Sequence, residues 1–108
     1  MAIASTGNAD DYGDLTVARR IAGAAASPTR ALIMGGYASP ASLDTIDFIT
    51  ITSTGDAQDF GDLTIARYTN GGTSSSTRAV MMGGYATSPG AAVKTIDFVT
   101  IATRGNAM

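Results

Sequence analysis

At 108 residues the chain has room for one domain, and its composition argues against helices: no Glu, a single Lys (Lys94) and 13 Gly, with Thr, Ile and Val gathered in short runs. Nine Asp against six Arg and one Lys give a formal net charge of −2 without a basic cluster, which argues against nucleic-acid or anionic-membrane partners, since both need a positive surface. No apolar run approaches the ~20 residues of a membrane span, the first residues lack the charged and apolar regions of a signal peptide, and the absence of Cys removes disulfides and thiolate chemistry, so the expectation is a soluble all-β chain.

Taken in order, Ser5-Thr6-Gly7-Asn8-Ala9 returns as Ser53-Thr54-Gly55-Asp56-Ala57 and again as Thr103-Arg104-Gly105-Asn106-Ala107. The interval Gly7 to Gly55 is 48 residues and Gly55 to Gly105 is 50, so the chain is a tandem repeat with one two-residue insertion. Tyr37 and Tyr85 keep the 48-residue spacing, which places the insertion between Tyr85 and Thr95. Asp11 to Arg19, matched by Asp59 to Arg67, reads as a strand after a Gly-Asp turn signal. Ile21 to Ser27, matched by Thr69 to Ser75, is built almost wholly of small side chains, as suits a strand crowded by its symmetry mates near a central axis; Gly71-Gly72 argues against helix there. Arg30 to Gly36, matched by Arg78 to Gly84, is an apolar strand ending in a glycine pair and followed by Tyr37 or Tyr85. Thr45 to Ile51, matched by Thr95 to Ile101, places Ile46 and Phe48 on one face and Ile49 and Ile51 on the other.

Four short strands per period, with both faces of the middle strands apolar, make a blade of a β-propeller. With these residues in view, the whole chain resembles kelch-type repeats, whose blade has a small-residue inner strand, an apolar strand ending in Gly-Gly, a third strand, and an outer strand carrying Trp-x-x-Leu. Here that last motif stands as Tyr12-Gly13-Asp14-Leu15 and Phe60-Gly61-Asp62-Leu63, followed by Arg19 and Arg67; Trp is absent, and Ser/Thr-rich sequence around Ser53 replaces the aromatic expected a few residues before it. Gly-Gly-Tyr and Thr-Ile-Asp-Phe also make the chain similar to kelch-like repeats of bacteriophage virion and tail proteins, a likeness that implies virion association.

The cut of the repeat sets the expected assembly. In the single unit 1–108, residues 21–67 make a complete blade and 68–103 supply three strands of a second, while the outer strand, residues 10–20, lies at the other end. Two blades cannot close a ring, so that strand goes to a neighbouring blade and the propeller is completed by homo-oligomerisation. The resemblance implies six blades, hence a trimer in preference to a tetramer.

Without His, Cys, Glu or Trp, acid–base work would fall to Asp, Tyr or Lys94, and the reading is non-enzymatic, with no cofactor. Asn8, Asp10, Asp11 and Asp14, with Asp56, Asp59 and Asp62, sit near glycines as in Ca²⁺ loops, but miss the EF-hand spacing and its Glu; turns in which Asx side chains bond the backbone are expected, and no metal. Arg30 and Arg78 open the glycine-pair strand and could form a guanidinium ring for an anion; the scaffold alternative pairs the repeated arginines, Arg19 and Arg67 included, with Asp47 and Asp97. Binding positions are sought where the copies differ, at Arg20 against Tyr68, and beside the unequal loops, at Tyr37 and Tyr85. The expected role is a structural or binding module whose partners are copies of itself and a glycan or virion protein. Two alternatives are a piece of a longer propeller, suggested by the duplicated ends, and a lectin-like site at the central channel.

Overall fold

The computed structural model describes residues 7–68, 71–88 and 90–108. Ser5 and Thr6 of the repeated string, Thr69 and Asn70 of the small-residue segment, and Pro89 lie outside the described residues. Among the described residues there is no helix; the chain is all-β. A four-stranded antiparallel sheet has the order β1 (Gly23–Ala26), β2 (Arg30–Met34), β5 (Thr45–Thr50), β6 (Gln58–Asp62). Between β2 and β5 lies a small hairpin of β3 (Tyr37–Ala38) and β4 (Ala41–Ser42). The second period repeats the pattern with β7 (Gly71–Ser74), β8 (Arg78–Met82) and β11 (Ile96–Thr100) in a three-stranded sheet, and β9 (Tyr85–Ala86) with β10 (Ala91–Ala92) as its hairpin.

The turns explain the sequence marks. Ser27 Oγ accepts the amides of Thr29 and Arg30 at 3.4 and 3.2 Å, and Ser75 Oγ does the same for Thr77 and Arg78, so the small polar residue closes the first hairpin of each sheet. At the other end of β2 and β8 the chain leaves the sheet through left-handed conformations, with φ of 66° and 110° at Gly35 and Gly36 and 66° and 105° at Gly83 and Gly84. Side chains rarely adopt these, hence the glycine pair.

The two sheets stack face to face. Leu32 and Met34 of β2 with Ile46 and Phe48 of β5 form one core with Ala79 and Met81 of β8 and Val99 and Ile101. Phe60, Leu63 and Ala107 join it from the edge, Phe60 meeting Phe48 edge-to-face at 6.0 Å. At the inner strands the approach is tight: a Cβ on Gly72 would lie 2.7 Å from the Ala24 carbonyl oxygen. At the outer edge it is tighter still, since a Cβ on Gly61 would lie 2.1 Å from the Gly105 carbonyl oxygen. Gly61→Ala must therefore push two backbones apart. We expect it to cost about 1–3 kcal/mol of stability, as other overpacking does, read by thermal denaturation.

Within the single chain residues 11–19 form no strand: Tyr12 O and Asp14 O accept Gly55 N and Ala57 N at 2.9 and 2.8 Å, and the segment has no other ladder among the described residues. Its counterpart Phe60 O and Asp62 O bond Gly105 N and Ala107 N at the same distances, but β6 also has β5 along its free side. Lacking that second neighbour, residues 11–14 lie extended but unladdered. The second sheet has three strands; among the described residues only Met108 reaches its outer edge, exchanging backbone bonds of 2.8 and 3.0 Å with Phe98 where Gln58 faces Phe48 in the first sheet.

Candidate functional site

The six residues singled out for binding separate into two groups at opposite ends of the sheets. Arg20 and Tyr37 form a two-bond antiparallel bridge of 3.0 and 2.8 Å, and Tyr68 and Tyr85 form its repeat. The bridges lie side by side, so Tyr68 stacks edge-on against Tyr37 at 5.2 Å and against Tyr85 at 5.5 Å, while the Arg20 guanidinium sits 5.1 Å from the Tyr37 ring centre. The result is a ladder Arg20, Tyr37, Tyr68, Tyr85 across the end where the glycine pairs turn. Arg30 and Arg78 start β2 and β8 at the other end, each 4.4 Å from the ring centre of its own Phe48 or Phe98. Arg30 also donates to Ile101 O at 2.8 Å, bridging the sheets.

The buried ion pairs belong to other arginines. Asp47 accepts Thr16 N at 2.9 Å and Thr16 Oγ1 at 2.7 Å, and meets Arg19 Nη2 at 2.5 Å. In the repeat, Asp97 accepts Thr64 N at 2.9 Å and Thr64 Oγ1 at 2.6 Å and meets Arg67 Nη2 at 3.2 Å. Arg19 Nη1 also donates to Gly35 O and Thr45 O, and Arg67 to Thr95 O and Met81 O. Burial pushes the Arg67 pKa down, with the Asp97 carboxylate opposing it; the guanidinium stays charged at any working pH. Each Thr-x-x-Arg segment is thus clamped onto the next sheet, so Arg19, Arg67, Asp47 and Asp97 form the scaffold device that repeated Arg and Asp suggest. The acidic loops bond backbone: Asp56 Oδ1 accepts Asp14 N, and Asn106 Oδ1 accepts Asp62 N. Among the described residues no three metal-ligating side chains gather.

A further unsatisfied feature is apolar, and none of the six candidate binding residues belongs to it. The first sheet buries Met34 and Ile46, 1% and 0% exposed, whereas their counterparts Met82 and Ile96 on the second sheet are 42% and 64% exposed. Conversely Ile101 of the second period is 1% exposed and Ile51 of the first is 43%. Leu63 is buried in the core, while its counterpart Leu15 lines an open hollow with Tyr12, Ile33 and Ile49. The two outward surfaces therefore carry the two halves of the core a second time. Charge differs at their edge: Asp62, placed opposite Thr45, has its pKa raised by desolvation and then by Asp44 and Asp59, whereas the repeat puts Lys94 where Asp44 stands. The sequence matches no family model and has no significant match among curated proteins.

Proposed function

We propose that the chain is a non-enzymatic structural and binding protein, a two-blade kelch-like protomer that joins copies of itself head to tail in a closed β-propeller, six-bladed from three chains. The observation that carries the reading is the exposure pattern across the repeat: positions buried where the two sheets stack have apolar or aromatic counterparts on the outward faces. Exposed apolar surface organised as two complementary halves marks an interaction site. The halves lie on opposite sides of the chain, so the contact is heterologous and ends only by closing into a ring. Closure also removes the free edge of β11, as propellers do.

The ring gives the tyrosine ladder its use. Tyr85 of one chain meets Arg20 of the next as Tyr37 meets Tyr68, and an aromatic belt runs round one mouth of the propeller. Symmetry then multiplies weak contacts to a repetitive target, such as a glycan or another protein ring. Native mass spectrometry at micromolar concentration tests the assembly: a discrete trimer is expected, a tetramer keeps the mechanism with eight blades, and a folded monomer overturns it.

A further inference from the structure

Resting on that ring reading, we infer that the outer strand of the three-stranded sheet is residues 11–15 of a second copy, laid along β11 with Tyr12 against Phe98 and Asp14 beside Lys94. The first sheet supplies the template. There β6 pairs with β5 in the register Thr45↔Asp62 and Ile46↔Gly61, and Phe60 packs on Phe48. Residues 12–15 repeat residues 60–63 as Tyr-Gly-Asp-Leu for Phe-Gly-Asp-Leu, and β11 repeats β5. Met108 occupies only the first position of this edge, opposite Phe98, so the slot continues where residue 11 of a partner would begin.

Residues 11–15 of the same chain are held elsewhere. Tyr12 and Asp14 are bonded to Gly55 and Ala57 on the outward side of the first sheet, and Arg19 and Thr16 are clamped to Asp47. A second copy can supply it, its segment keeping those bonds at home and offering its free side to the neighbour, as residues 60–62 do within the chain.

Charge points the same way, and independently. At the filled edge Asp62 stands near Asp44 and Asp59, a like-charge crowd. At the open edge Asp44 is replaced by Lys94, the only lysine of the chain, so an arriving Asp14 and Asp11 meet a cation. The slot is thus better suited in charge to this strand than the filled edge is to its own. Such exposed pairs contribute little affinity each, but they select partner and register.

The test uses the cysteine-free background. In the double variant Asp14→Cys/Thr95→Cys the two thiols stand opposite each other in the inferred register, at the separation of paired strands, which suits a disulfide. On mild oxidation, denaturing gels should show most chains as covalent dimers and trimers, and each single variant should give no trimer. Chains that stay uncrosslinked or close internally, while native mass spectrometry still finds a trimer, would overturn the strand and leave the ring standing; a native monomer would remove both. Charge reversal gives a second reading. Lys94→Asp and Asp14→Lys should each weaken assembly by about fivefold, and the double reversal should restore it to within about twofold. No restoration would overturn the assignment of Asp14 to Lys94.

Discussion

Ile96→Asp should turn the ring into folded single chains, whereas Ile46→Asp, the same position one repeat earlier, should leave no folded chain. Ile46 is fully buried between the stacked sheets, and Ile96 is 64% exposed on the outward face. A carboxylate at position 46 loses about 1.5–3 kcal/mol of apolar burial and adds an unpaired charge in a dry core. The total exceeds about 4 kcal/mol, against about 5–15 kcal/mol for a whole domain. At position 96 the same change should move the chain's own stability by no more than about 0.5 kcal/mol. It appears instead at the joint, where assembly should weaken by more than about 100-fold, equivalent to some 2.8 kcal/mol. Circular dichroism melts and native mass spectrometry read the two effects separately. Unfolding by both variants would mean that the outward face is not a joint between folded chains.

In the proposed ring the joint between chains is also the softer of the two, which is why folded single chains are expected. Within the chain, Ser74 Oγ donates to Ala26 O at 2.8 Å, Ser42 and Thr87 share a hydroxyl bond of 2.9 Å, and Arg104 bonds Gln58. The repeat places Ala26, Ala92 and Thr54 at the positions of Ser74, Ser42 and Arg104. None of the three ties is available between chains. Ala24 also carries the Cβ that Gly72 lacks, so the inner strands must stand a few tenths of an ångström further apart there. The proposed ring should therefore come apart before its protomers unfold.

How far the sequence carries depends on whether a feature is local. The glycine pairs, the small-residue inner strand and the opposite facing of Ile46 with Phe48 and Ile49 with Ile51 were all legible, because turn conformation and strand alternation are local. Which arginine meets Asp47 was not. Arg19 and Arg30 recur equally, and only the fold shows that Arg19 arrives beside the carboxylate while Arg30 leaves along β2 to lie over Phe48. Residues 11–19 are a related case: their strand-forming composition needs an edge to pair with, and within their own chain the backbone of Tyr12 and Asp14 meets Gly55 and Ala57. Tyr37 and Tyr85 could be singled out from their place beside the loops. That Tyr68 would stand between them depends on a bridge across the repeat junction. The substitution of Lys94 for Asp44 was visible as a charge difference, but its meaning rests on the pairing of Thr45 with Asp62.

The second large effect concerns Asp97. Asp97→Ala should cost about 3–5 kcal/mol, because it leaves the fully buried Arg67 guanidinium without its counter-ion and Thr64 without its acceptor. Adding Arg67→Met should recover part of the loss by removing the stranded charge, the residual deficit being the carbonyls of Thr95 and Met81 and the freed Thr64 amide. Denaturant titrations of the two single variants, the double and the parent close a cycle; a double variant no more stable than Asp97→Ala alone would refute the stranded-charge account. Asp47→Ala is the informative companion. The same pair there, Arg19 with Asp47, clamps residues 16–19 to the first sheet, and residues 11–15 are the strand we propose is offered to a neighbour. Releasing that clamp should cost assembly as well as stability. Asp97→Ala, whose clamp joins two sheets of one chain, should act on the fold first. If the two variants differ in this way, one repeated ion pair holds the fold at one junction and presents the joining strand at the other.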